Sequence, residues 1–80
     1  MKAKVYIKHR QEILDPQGKA VLQGLSNLGF KGLSDVRVGK YVEIALECAS
    51  VEAAQAEVKD MCEKLLVNTV IEQYTFVIES

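Results

Sequence analysis

The sequence holds few of the residues from which compact catalytic or metal sites are built. Its 80 residues include two cysteines, one histidine, one proline and no tryptophan. Cys48 and Cys62 lack Cys-x-x-Cys spacing, and two cysteines make no disulfide framework. His9 has no second histidine, cysteine pair or carboxylate cluster at ligand spacing, which argues against a metal site. A Ser-His-Asp or Cys-His relay would have to be built around that one residue. Nothing approaches the about 20 consecutive apolar residues of a membrane span. Lysines interrupt every apolar stretch of "MKAKVYIKHR", so it does not read as a secretory leader. No charge of one sign dominates: ten Lys and Arg against eleven Asp and Glu leave a net −1. That balance argues against duplex nucleic acid or an anionic membrane as a partner. The expected setting is the reducing cytoplasm.

What is present reads as one domain over residues 1–80. Apolar residues make up 49% of the chain, enough to fold, yet a chain this short buries only about two-thirds of its unfolded surface. Domains of this size often complete their stability by oligomerising. Residues 2–10 alternate strictly, with Ala3, Val5, Ile7 and His9 on one side and Lys2, Lys4, Tyr6, Lys8 and Arg10 on the other. This is a half-buried strand with a basic outer face. A helix follows, capped by Asp15 with Pro16 at its first position, and Val21, Leu22, Leu25 and Leu28 share one side. Gly29 suits the left-handed residue past its end, with Phe30 folding back on Leu25.

"LSDVRVGKYVEIALECA" reads as two strands joined by a hairpin at Gly39-Lys40. A second helix starts at Ser50 and carries Val51, Ala54, Val58, Met61, Cys62, Leu65 and Leu66 as a stripe, with Asn68 able to end it. Cys48 and Cys62 both fall in core phase, as small buried apolar residues. The final strand, "VIEQYTFVIE", places Val70, Tyr74, Phe76 and Ile78 with Glu72 on one face and Ile71 and Val77 on the other. Both faces being apolar, it is wrapped by a loop or chain end, or covered by a second subunit.

The order strand, helix, strand, strand, helix, strand gives an α+β, ferredoxin-like split βαβ fold (βαββαβ). Its layout is a four-stranded antiparallel sheet with two helices on one face. The first and third strands are then neighbours, with Lys4 and Lys8 near Glu43 and Glu47. Two Gly-Lys pairs stand out. Gly18-Lys19, in "DPQGKAV", lies at a helix start where backbone amides can hold a phosphate, but the P-loop pattern is absent. Gly39-Lys40 reads as a turn. The fold class hosts unrelated functions. A dimeric domain that binds a small molecule and a structural subunit that docks on an enzyme both fit.

The segments "LDPQGKAV", "LGF", "DVRVGKYVEI" and "MCEKLLVNTVIEQY" closely resemble the PurS family, small subunits of phosphoribosylformylglycinamidine synthase. They follow the family's order and spacing from the first strand to Tyr74. Thr69 departs from it, where the family often has proline. The resemblance implies a non-catalytic component of an ATP-dependent glutamine amidotransferase of purine biosynthesis. Such a component joins a glutaminase subunit to a large synthetase subunit and supports ammonia transfer between them. It implies a homodimer or dimer of dimers, no cofactor bound by this chain, and ATP and Mg²⁺ held elsewhere in the complex. The residues expected to meet a partner enzyme are Asp15, Pro16, Gln17, Gly18 and Lys19 with Arg37, Gly39, Lys40 and Tyr41, forming one rim. Tyr6, Tyr74, Phe76 and Ile78 are expected at the homodimer contact.

Overall fold

The computed structural model describes residues 1–80. In chain order the elements are β1 (Lys2–His9), α1 (Pro16–Asn27), β2 (Gly39–Ala45), α2 (Val51–Met61) and β3 (Glu72–Glu79). A π-helical turn, Cys62–Leu66, prolongs α2. The sheet is antiparallel with order β2-β1-β3. At its middle Val5 faces Val42 on one side and Phe76 on the other. The period of two buries Ala3, Val5 and Ile7 from the central strand. Ala54, Val58 and Cys62, four residues apart on one helical face, are the buried residues of α2 and its extension. Val67 completes a thin core, edged by the half-buried Val42, Ile44, Tyr74, Phe76 and Ile78.

The expected four-stranded sheet is not formed; the sheet has three strands. The missing strand is the run at Val36 and Val38, which has no ladder partner because its amides are used elsewhere. The Val36 N–H donates to Asp35 Oδ1 at 3.0 Å and the Val38 N–H to Asp15 Oδ2 at 2.8 Å. Nor is Gly39-Lys40 a hairpin turn. Only Gly29 and Gly32 have positive φ, while Gly39 begins β2 opposite Lys8. The expected adjacency of the first strand and the "YVEIA" strand holds, but its charge pairing is diagonal. Lys2 meets Glu43 at 3.1 Å and Lys4 meets Glu79 at 3.0 Å, while Lys8 lies opposite Gly39.

The helix layer also differs from expectation. Only α2 covers the sheet; α1 makes no substantial contact with the other elements. It is well formed locally. Asp15 caps it, and the Gly29 and Phe30 amides donate to Ser26 O and Leu25 O, both at 3.1 Å, closing a Schellman end with Gly29 at φ 99°. Its apolar side faces outward, with Leu28 78% and Phe30 59% exposed. The chain therefore measures 51 × 25 × 15 Å with a radius of gyration of 16.0 Å, where a compact chain of this length has about 12 Å. Residues 14–38 form an arm, out along α1 and back along a return segment without regular secondary structure. Fully burying one leucine or phenylalanine side chain contributes about 1.5–3 kcal/mol, and the isolated chain forgoes much of this along the arm.

Candidate functional site

The arm joins the sheet at a root built from the two Gly-Lys segments. Asp15, only 4% exposed, holds it from both sides. Oδ1 accepts the Gly18 N–H at 3.0 Å, satisfying a helix-start amide, and Oδ2 accepts the Val38 N–H across the gap to the return segment. The Gly18 and Val38 amides hold this carboxyl below the ordinary aspartate range, against the opposing effect of burial. Gly18 is the one buried residue of α1. A Cβ there would collide with the Val36 carbonyl oxygen, so only glycine lets helix and return segment approach this closely.

Arg37 fastens the return segment to the loop after β1. Its Nη1 donates to Ile13 O at 3.1 Å and its Nη2 to Gln11 O at 3.0 Å, while Nε pairs with Asp35 at 3.3 Å. Gly39 repeats the Gly18 device, since a Cβ would strike the Ile7 carbonyl oxygen. Lys40 reaches the buried Glu72, with Nζ 3.2 Å from Oε2. Glu72 in turn accepts the Asn68 N–H at 2.8 Å. That amide, with Lys40, pulls the Glu72 carboxyl below its usual range despite burial. Sequence reasoning gave Glu72 no role, although its place on an otherwise apolar strand face was the available signal.

The structure thus brings Asp15, Gly18, Arg37, Gly39 and Lys40 to one end of the sheet, and all five have identifiable structural partners. Pro16, Gln17 and Lys19 are exposed on the first turn of α1. Tyr41 lies beside Tyr6 on the sheet face turned away from α2, their ring centroids 5.2 Å apart. Lys8, Gln73 and Thr75 share that face, and with Tyr6, Arg37 and Gly39 they line an open groove of about 540 Å³.

The four residues expected at a dimer contact do not share a surface. Tyr74, Phe76 and Ile78 pack against the core on the α2 side, and the Tyr74 hydroxyl donates to Glu63 at 3.0 Å. Tyr6 is on the opposite face. Tyr6 alternates with the buried Val5 and Ile7, and the register sets Val5 beside Phe76 and Ile7 beside Tyr74, which puts Tyr6 on the other side of the sheet. The cysteines divide as well. Cys62 is buried as expected, whereas Cys48 is half-buried and its thiol donates to Glu57 at 2.7 Å. That bond, then burial, pushes the Cys48 thiol up. No three His, Cys, Asp or Glu side chains converge on a point that could hold a metal ion. No helix is long and apolar enough to cross a membrane.

Comparison with known proteins accounts for this chain over nearly its whole length. Residues 2–80 match the family described as PurS, phosphoribosylformylglycinamidine (FGAM) synthase. The chain is 47% identical over 73 residues to the phosphoribosylformylglycinamidine synthase subunit PurS of Synechocystis, covering 91% of this chain and 73% of that one. The crystal structure of PurS from Methanocaldococcus jannaschii superposes with a TM-score of 0.90 at 37% identity, over 99% of this chain and 95% of the other. A chain in the structure of PurLQS from Thermotoga maritima gives a TM-score of 0.88 at 30% identity, covering 95% and 93%. The three-stranded chain with its outlying helix belongs to the PurS family.

Proposed function

We propose that this chain is the PurS subunit of phosphoribosylformylglycinamidine synthase in purine biosynthesis. In that role it joins a glutaminase subunit to an ATP-dependent synthetase subunit and supports the passage of ammonia between them. The observation that supports the reading is the match of fold and sequence to a chain of the PurLQS assembly over 95% of this chain. Catalysis, ATP and Mg²⁺ belong to the larger subunits, and this chain works in the cytoplasm as a homodimer or a dimer of dimers. The partner enzyme meets the rim at the arm root. There the buried Asp15 and Gly18, with Gly39 close against the Ile7 carbonyl, set the shape, and the exposed Pro16, Gln17, Lys19 and Tyr41 supply the contact.

The test is reconstitution. The chain is mixed with the glutaminase and synthetase subunits, with glutamine and nucleotide present, and run on a sizing column. The expected result is co-migration and a gain in glutamine-dependent amidation. Lys19→Glu, at an exposed position, is expected to weaken co-migration without lowering the melting temperature. Absence of co-migration under every condition, with no gain in activity, overturns the assignment. Calorimetry with ATP, glutamine and formylglycinamide ribonucleotide is expected to show no tight binding by the isolated chain.

A further inference from the structure

The sheet face turned away from α2 is covered by no other element of the chain. Alternate residues of all three strands build it. Tyr6, Tyr41 and Val77 lie exposed across it, and Lys2, Lys4, Lys8, Glu43 and Glu79 stand around them. Apolar side chains inside a charged border are the composition of a protein–protein contact, and tyrosine is among the residues that dominate such contacts.

The charges on this face are unevenly spent. Lys2 pairs with Glu43 and Lys4 with Glu79, which uses both carboxylates. Lys8 pairs with none. Opposite it stands Gly39, which puts no side chain beside it. Both line the open groove of about 540 Å³, together with Arg37 and Lys40, and no Asp or Glu lines it. The charges of Arg37 and Lys40 are answered within the chain. Three guanidinium nitrogens of Arg37 are taken by Gln11, Ile13 and Asp35, and Lys40 is taken by Glu72. Lys8 alone is free to pair with a charge from outside. A phosphate, with three strong acceptor oxygens, is poorly matched by one free ammonium, whereas a single carboxylate is well matched. A second copy of this face brings no free carboxylate, since Glu43 and Glu79 are both paired.

We infer that this face receives an acidic segment of a partner enzyme, with an Asp or Glu carboxylate on Lys8 beside Gly39 and an apolar neighbour on the rings of Tyr6 and Tyr41. Gln73 and Thr75, on β3 along the same groove, offer hydrogen bonds to the segment's backbone. The inference rests on the adaptor reading above and names the chemistry of the surface that meets the rim. Tyr41 belongs to both, and Gly39 joins the rim to the groove. Tyr6, expected at a homodimer contact, meets an enzyme instead.

The test titrates the full-length chain and its variants against the glutaminase and synthetase subunits, with glutamine and nucleotide present. Lys8→Glu and Tyr6→Ala are each expected to weaken binding at least about tenfold. Lys8→Arg, and Lys59→Glu as a charge reversal on α2, are expected to bind as the unsubstituted chain does. Melting temperatures, expected to stay level at these exposed positions, check that every variant folds. Carbodiimide treatment of the unsubstituted complex needs no variant at all. It condenses a paired ammonium and carboxylate into an amide, with loss of water. The expected product, read by peptide mass spectrometry, joins Lys8 to an Asp or Glu of one enzyme. Undiminished binding by Lys8→Glu, or a complex in which Lys8 stays unlinked, overturns the inference and leaves the adaptor reading standing. A Lys8 crosslink to a second copy of this chain overturns it in favour of self-association. An unsubstituted chain that binds neither subunit overturns both readings.

Discussion

Asp15 and Val38, twenty-three positions apart, are joined by a 2.8 Å hydrogen bond from the Val38 amide to the carboxylate that caps α1. One side chain therefore starts a helix and fastens the far end of the excursion that the helix begins. Asp15→Asn leaves one side-chain oxygen where two are used, so one of the two amides loses its partner. The expected outcome is a fall in melting temperature on the order of 4–8 °C, with faster amide exchange at Gly18 or Val38. Asp15→Ala, which removes both acceptors, is expected to fall further in the same melts.

Two glycines of α1 are predicted to answer the same substitution with opposite signs. Gly24 has open space around the position a Cβ would take, whereas Gly18 has the Val36 carbonyl. Gly24→Ala is expected to stabilise by roughly 0.5–1 kcal/mol through the less flexible unfolded chain. Gly18→Ala is expected to destabilise by about 1–3 kcal/mol, as overpacking does. Urea denaturation of both variants at one protein concentration checks the pair.

Acid sensitivity follows from Asp15 and Glu72. Both carboxyls are lowered in the folded chain, from ordinary values of 3.8 and 4.5, chiefly by backbone amides that donate to them. A depressed folded value means that the unfolded chain binds the proton more readily. Their contribution is therefore fully present above the ordinary values and is lost as pH falls through the folded ones. Melting temperature is expected to be level near neutral pH and to drop below about pH 4. Glu72→Gln, measured over the same range, is expected to show a shallower drop.

Thiol chemistry gives a fourth check. The Glu57 carboxylate accepts the Cys48 S–H and holds the thiol in its protonated form, and the thiolate is the reactive species. Cys48 is expected to alkylate slowly at mildly alkaline pH, and Glu57→Gln is expected to speed it. Cys62, buried under α2, is expected to react only after unfolding. Mass spectrometry of iodoacetamide-treated samples distinguishes the two sites.

Much of the local structure could be read directly, because it depends on neighbours in sequence. The alternation of β1, the Asp15 and Ser50 caps and the Gly29 end of α1 all stand where periodicity and capping chemistry put them. The error at Val36 and Val38 has a different origin. Two alternating residues beside a glycine suit a strand, but a strand exists only if its amides find a ladder. Here Asp15, distant in sequence, takes the Val38 amide and Asp35 takes that of Val36. The same dependence on distant contacts hid the structural duties of Arg37 and Lys40 at the root. Their partners are carbonyls after β1 and a carboxylate on β3. Amphipathic patterning marked which side of α1 is apolar, but carried no information on whether its own sheet would lie beneath it.

The placement of β1 between β2 and β3 has a consequence for how the protein comes to exist. Its two edges are completed by segments that begin at Gly39 and Glu72, so β1 waits for β3. Until Glu72–Glu79 leaves the ribosome, Ala3, Val5 and Ile7 have half a sheet and no closed core. A nascent chain of this design stays unfinished until β3 has emerged, and then closes in one long-range step.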